Sequence, residues 1–415
     1  MSKRYRLTPT PAHERGCLRH CADARFVWNL AVEQQSWWRP GRGSAPGRYE
    51  RKRQLTEARA AESWLAEGSS SVQQQALYDF DHAMSAFFDK ENPAGEPSYR
   101  SAKRGTQGFV IRDTKVRRLN PRWGEVLVPK CGWVRFRWTR ALPEKLGMAR
   151  VTCDCIGRWH VSFPAPQAAV KRQPTGTSIG IDRGVQTALV ASDGQHYRAP
   201  RISDRRATRY LALQRRMARQ HKKSRKRERT RLSMVAISAR TADRRKDWAE
   251  KISTRMVVAN DLIVLEKLNI TGMTRKPAPK PDPDQAGNFL PNQARAKAGL
   301  SRSILASCWG TLASRMEQKG AASGVTVVQI DPRFTSQQCH ACGHTAKGNR
   351  ESQAVFRCQE CGHEDHADTN AAKNILARGL LITTGEVVPA HALGHRAPRP
   401  RQPARAAAGT ARSAA

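Results

Sequence analysis

Along the first hundred residues the apolar positions repeat mainly at helical period. Residues 3–10 (KRYRLTPT) are the exception, alternating basic and apolar side chains as a short strand does. The next stretch, HERGCLRHCADARFVWNLAVEQQ, places Cys17, Leu18, Cys21, Ala24, Val27, Trp28 and Ala31 on one side of a helix. GRGSAPGR at 41–48 is a loop. RYERKRQLTEARAAESWLAEG and SSVQQQALYDFDHAMSAFFDK predict two further helices, the second with Ser69–Ser71 as candidate N-caps. From about 98 to 164 the period falls to two. FVIRDTKVRRL, EVLVPKCGWVRFRW and ARVTCDCIGRWHVSF are short, β-rich and separated by turn signals. Arg135 and Arg137 interleave with Val134, Phe136 and Trp138, which lines cations along one strand face. This block predicts a small barrel with a basic outer face. Because its first strand precedes the helices, they form an insertion into it.

The second half has a different texture. After a linker at 165–177, SIGIDRGVQTALVASDGQHYRAPR predicts a three-strand meander. One long helical stretch is expected from about 201 to 260. DLIVLE is a continuous apolar run, the pattern of a central parallel strand. TRKPAPKPDPDQAG predicts a mobile proline-rich loop. SRSILASCWGTLASRMEQKGAASG predicts one helix ended by Gly320 or Gly324, and VTVVQID another core strand. A cysteine-bearing segment follows, then a helix to about 380. Residues 386–415, Ala/Pro/Arg-rich, predict a disordered basic tail.

Charge changes this picture. The 415 residues carry 73 Lys and Arg against 35 Asp and Glu, a net +38. So one-sided a balance calls for a polyanion, and nucleic acid is the commonest. Between Arg201 and Arg229 there are 13 Lys/Arg and two acids. Such a run cannot compensate itself, so it is read as a phosphate-tracking surface rather than a solvated helix face. Arg215, Arg216, Lys222, Lys223, Arg225, Lys226 and Arg227, with Arg135 and Arg137, are the candidate contacts. No run of 18 apolar residues suggests a membrane span, and MSKRYRLTPTP lacks the apolar core of a signal peptide. A cytoplasmic, nucleoid-associated bacterial protein is expected, with monomer and homodimer both open.

Three acids stand out in the second half. Asp182 lies in an apolar strand, Glu266 ends DLIVLE, and Asp368 opens the last helix. An acid in an apolar strand is costly to bury without a compensating cation. Three carboxylates converging at strand ends make an oxygen-only site for two Mg²⁺ ions about 4 Å apart, suited to phosphodiester hydrolysis. Each acid also has a plainer reading. Asp182 is in a turn-like IDRG, Glu266 has Lys267 and Arg245 as possible partners, and Asp368 stands where an N-cap does, with Asp365 as competitor. Cys339, Cys342, Cys358 and Cys361 form a C-x2-C-x15-C-x2-C pattern, which closes an all-thiolate structural Zn²⁺ site. His340, His344, His363 and His366 are superfluous to it. The other six cysteines read as ordinary thiols.

With the cysteine segment set aside, three strands, helix, strand, helix, strand, helix is the order of a ribonuclease-H-like fold. The quoted blocks also resemble those of TnpB, the transposon-associated RNA-guided DNA nucleases, and the related miniature type V CRISPR effectors. GIDRGVQTALVASDG, RRKDWAEKISTRMVVANDLIVLEKLNI, KAGLSRSILASCWGTL, VVQIDPRFTSQQCHACGH and DTNAAKNIL carry the resemblance, as does the N-terminal RLTPTPAHERGCLRHCADARFVWNLAV. The resemblance implies a multidomain α+β protein. Its parts would be a wedge β-barrel (1–11 and 97–165), a helical recognition domain (12–96), a RuvC-like α/β nuclease (166–335 and 365–385) and a zinc-ribbon insertion (336–364). It implies guide RNA and target DNA as partners, recognition next to a short flanking motif, and Asp182, Glu266 and Asp368 as Mg²⁺-binding catalytic acids. The other readings are a guided DNA binder that does not cut, an unguided zinc-ribbon factor and an unguided structure-specific nuclease.

Overall fold

A computed structural model describes residues 2–37, 45–102, 106–285 and 287–385. The expected tail at 386–415 and part of the loop at 41–48 lie outside these residues. The chain divides into two compact units, residues 1–167 with 202–243, and residues 168–201 with 244–415.

In the first unit β1 (Ser2–Arg6) precedes four helices, α1 (Pro11–Ser36), α2 (Arg48–Ala61), α3 (Ser63–Ala66) and α4 (Ser70–Phe88). Six strands follow: β2 (Gln107–Ile111), β3 (Val116–Asn120), β4 (Trp123–Val128), β5 (Gly132–Arg137), β6 (Ala149–Cys153) and β7 (Trp159–Pro164). They form one sheet ordered β1-β7-β6-β2 and one ordered β3-β4-β5. Since β1 pairs with β7, the helices are inserted between paired strands. Tyr5, Phe136 and Phe163, all buried, meet edge to face at 5.4–6.3 Å and join the two sheets through one core. In β5 the alternation is as read: Val134 and Phe136 are buried, Arg135 and Arg137 exposed.

The leading strand is shorter than 3–10. It ends at Arg6, and Thr10 caps α1 reciprocally with His13. Ser69 occupies the N-cap position of α4, but its hydroxyl meets Ser71 Oγ at 3.0 Å and caps nothing. The helical stretch 201–260 is two helices, α5 (Asp204–Arg219) and α6 (Arg225–Ala259), parted where Lys223 takes a positive φ of 70°.

The second unit carries a five-stranded sheet ordered β10-β9-β8-β11-β12. Its strands are β8 (Ser178–Asp182), β9 (Leu189–Ala191), β10 (His196–Tyr197), β11 (Leu262–Glu266) and β12 (Thr326–Ile330). The first three form the antiparallel meander, and β8, β11 and β12 are parallel. All five residues of β11 are buried, as its continuous apolar run requires. Between β11 and β12 lie α7 (Ile270–Thr274), α8 (Ala294–Ala306) and α9 (Trp309–Ser323). The single helix expected at 301–324 is broken: the Ser307 hydroxyl bonds back to the Ser303 carbonyl, and Cys308 turns left-handed (φ 61°). This break lets Trp309 enter the core and donate to the Gly184 carbonyl at 3.1 Å. The proline-rich loop closes as a small hairpin at Pro281 and Phe289. The cysteine segment, with β13 (Val355–Arg357) and β14 (Glu364–His366), interrupts the chain between β12 and the last helix, α10 (Ala367–Thr384). Gly385, left-handed, follows that helix.

Candidate active site

Asp182 is the last residue of β8 and Glu266 the last of β11. These strands are adjacent and parallel, with Leu265 opposite Ile181, so both acids emerge at one edge of the sheet. Asp368 comes from the first turn of α10, which packs against β8. Gly180 permits that approach: a Cβ there would overlap the Ala372 carbonyl and stand 2.6 Å from the Leu376 nitrogen. Gly379 does the same from the helix side, lying against Val264.

The electrostatics show these carboxylates acting on one another. Burial, then repulsion from Glu266 and Asp368, pushes the Asp182 carboxyl up to about 8, while Arg350 opposes the rise. Burial also raises Glu266, partly offset by Arg183, and its side chain is within hydrogen-bond reach of Asp182. Glu266 is 6 % exposed, and neither Lys267 nor Arg245 pairs with it. Instead Thr335 Oγ1 donates to Glu266 Oε1 at 3.5 Å, and buried Arg183 donates to the Glu266 carbonyl. Asp368 receives Arg350 Nη2 at 2.8 Å. The N-cap of α10 is His366, whose Nδ1 accepts from the Asp368 amide, so Asp368 is not itself the cap. Asp365 is bound to Lys373 at 2.7 Å.

The four cysteines come together. Cys339 and Cys361 sulfurs are 3.8 Å apart, Cys342 and Cys358 3.6 Å, and all four lie within 4.8 Å of one another. A tetrahedron of thiolates about zinc at ~2.3 Å has edges of about 3.8 Å. Each pair is built the same way. Cys339 N–H bonds to the His344 carbonyl and Gly343 N–H to the Cys339 carbonyl; Cys358, His363 and Gly362 repeat the pattern. Gly343 and Gly362 both adopt positive φ, 79° and 73°. No histidine belongs to the group.

A row of buried polar side chains ties this segment to α10. Asn370 donates to the Gln338 carbonyl and accepts from His340 N–H, and Asn374 donates to the carbonyls of Thr335 and Gln338. Arg378 reaches the Arg333 carbonyl at 2.7 Å and Gln338 Oε1 at 2.8 Å. Sequence reasoning missed these three, and also Arg183 and Arg350. Residues 370, 374 and 378 recur every four residues, but Asp368, Thr369 and Lys373 on the same helix are polar too, so the spacing did not mark them out.

The predicted basic contacts divide. Arg215 and Arg216 on α5, and Lys222, Lys223, Arg225 and Lys226 around the break, are exposed. Arg227 turns inward and donates to the Met217 and Gln220 carbonyls, ending α5. Arg135 meets Glu125 at 3.3 Å, and Arg137 lies over Trp123 at 5.5 Å. Among the described residues no helix is long and apolar enough to cross a membrane.

A family model described as "Probable transposase" matches residues 161–276, a "Cas12f1-like, TNB domain" matches 309–375, and a "Helix-turn-helix domain" matches 1–43. The chain is 30% identical over 393 residues to "Putative RNA-guided DNA endonuclease InsQ" of Escherichia coli strain K12, covering 93% of this chain and 94% of that protein. It is 47% identical over 64 residues, 15% of each chain, to the CRISPR-associated endodeoxyribonuclease Cas12f1 of Sulfoacidibacillus thermotolerans. Among solved structures, a Cas12f1–sgRNA–target DNA complex aligns with TM-score 0.48 at 11% identity, over 88% of this chain and 81% of that one.

Proposed function

The chain belongs to the TnpB family of transposon-associated RNA-guided DNA nucleases, and on that premise we propose that it is an RNA-guided DNA endonuclease whose phosphodiester hydrolysis depends on Asp182, Glu266 and Asp368. The observation that carries the reading is the shared edge. Three acids from two parallel strands and a helix come to it, and burial, then repulsion from Glu266 and Asp368, holds a proton on Asp182 up to about 8. Arg350 and Arg183 offset the three acids only in part, and hard divalent cations with oxygen ligands supply the remaining positive charge. These residues fit two Mg²⁺ ions, which when bound supply Lewis-acid activation of water and stabilisation of the leaving oxygen.

The remaining roles fall to the chain itself. Arg183 and Thr335 fix the end of β11 and thereby the direction of Glu266. Arg350 balances Asp368 while the carboxylates are bare, and its guanidinium is a group suited to holding a phosphate. The cysteine cluster suits one structural Zn²⁺: every ligand position is a thiolate, so none is left for a reacting water. The meander followed by parallel strands is the strand order of a ribonuclease-H-like, RuvC-type domain. On the same premise the β-sheets of the first unit correspond to a wedge domain, α1–α4 to a recognition domain, and residues 336–364 to a zinc ribbon. Guide RNA and target DNA are the partners, and the guide rather than the protein reads most of the target.

The test uses purified protein carrying its guide, Mg²⁺ and a target plasmid. Wild type is expected to cut, while Asp182→Ala and Asp368→Ala leave the plasmid intact yet retain RNA. Equal survival of the plasmid with wild type and Asp182→Ala rejects the nuclease reading. Full activity of Asp368→Asn together with loss in Asp365→Asn would move the third ligand to Asp365.

A further inference from the structure

The first unit holds a second sulfur cluster that the nuclease reading does not use. Cys17 and His20 lie one turn apart on α1, 1 % and 2 % exposed. Cys131 stands at the tip of the β4–β5 turn between Lys130 and Gly132, both at positive φ, and is part-buried. The turn presses its sulfur onto α1, where a Cβ on Gly16 would overlap Cys131 Sγ. Cys131 Sγ is 3.6 Å from His20 Nε2 and within hydrogen-bond reach of Cys17. The same His20 nitrogen faces the Pro129 carbonyl at 2.7 Å, so it carries a proton to donate, and Nδ1 is buried with no partner.

The hydrogen bond from Cys17 outweighs burial and, with His20, brings the Cys131 thiol down to about 5, while Cys17 is held up. This pairs an ionised thiol with a protonated one, with the His20 Nε2–H shared between the Cys131 sulfur and the Pro129 carbonyl. A metal is not the better reading: the His20 nitrogen nearest Cys131 keeps its proton toward the Pro129 carbonyl and has no lone pair left for a metal.

We propose that Cys131 is a peroxide-reactive thiolate and Cys17 its resolving thiol, the two forming a reversible disulfide that staples α1 to the β4–β5 turn. The Cys131 thiolate attacks one oxygen of hydrogen peroxide. The O–O bond breaks, hydroxide leaves and is protonated to water, and Cys131 becomes a sulfenic acid, oxidised by two electrons. Cys17 sulfur then attacks the sulfenic sulfur. The S–O bond breaks, and the departing hydroxide takes the Cys17 proton as a second water. A dithiol reductant returns both thiols by exchange. His20 positions the thiolate through its N–H and gains no covalent bond.

The test uses the full-length, zinc-loaded protein. After brief exposure to hydrogen peroxide at neutral pH and non-reducing tryptic digestion, mass spectrometry is expected to find Gly16–Arg19 joined to Cys131–Arg135, two hydrogens lighter than the free pair and separable by dithiothreitol. Before oxidation, iodoacetamide is expected to label Cys131 about tenfold faster than exposed Cys155. Cys17→Ser leaves the sulfenic acid unresolved, so dimedone labels Cys131. A chromogenic chelator follows zinc throughout. Absence of the joined peptides, labelling of Cys131 no faster than Cys155, or joining only after zinc is lost would each overturn the proposal.

Discussion

At Asp182, burial and two neighbouring carboxylates act in the same direction. Its carboxyl titrates near 8 in the fold, above the ordinary aspartate value, so the metal-free native protein keeps a proton that the unfolded chain releases. This group's contribution to stability is therefore present at acid pH and is lost as pH rises from about 4 towards 8. Asp182→Asn removes the charge and keeps the shape. In chelator at pH 8 it is expected to be more stable than wild type by on the order of 1–3 kcal/mol, with no difference below pH 4. Mg²⁺ should raise the melting temperature of wild type only. Equal melting of the two proteins in chelator at pH 8 contradicts this account. Arg350 lowers the Asp182 carboxyl, so Arg350→Ala is expected to move the pH at which Mg²⁺ begins to stabilise the protein upward, as a thermal-shift titration reads directly. Asp182 and Glu266 stand out in the sequence because an acid inside SIGID or ending DLIVLE breaks an apolar run, whereas Asp368 breaks none. Arg350 was not, since one arginine among 73 basic residues has no pattern to break.

Elements carry the geometry that residues exploit. Helix α10 lies on β8 because Gly180 and Gly379 remove the side chains that would hold them apart. Gly180→Ala puts a methyl group into the Ala372 carbonyl, which backbone cannot easily yield. It is expected to cost about 1–3 kcal/mol or more and to remove cleavage by lifting Asp368 from the strand ends. A variant that cuts normally would show that helix and strand need not touch. The order of elements along the chain and the insertion of helices between β1 and β2 were legible from period and position. The three helix breaks were not, because periodicity continues through them: Lys223 and Cys308 turn left-handed, and Glu62 goes extended and splits the helix expected at 48–68 into α2 and α3. Nor was the ladder of Asn370, Asn374 and Arg378, whose partners are mostly backbone carbonyls that no residue type announces.

Across the whole molecule, the +38 charge is the term that favours polyanions before any specific contact forms. The exposed cations around the α5–α6 break are placed to supply part of it. Replacing Arg215, Arg216, Lys222 and Lys223 by Gln is expected to weaken guide-RNA binding and to flatten its salt dependence, by roughly 0.7 in log–log slope for each side chain that touches phosphate. An unchanged slope would put the RNA elsewhere. The order of the three acids along the chain has a consequence for synthesis. Two of them are laid down by residue 266, whereas the third follows the whole cysteine segment at 368. A ribosome that stalls anywhere before that helix releases a product that can begin to fold, since domains form as they emerge, but has at most two of the three carboxylates. If the three acids act as proposed, a product that stops short of that helix is disarmed by chain order alone.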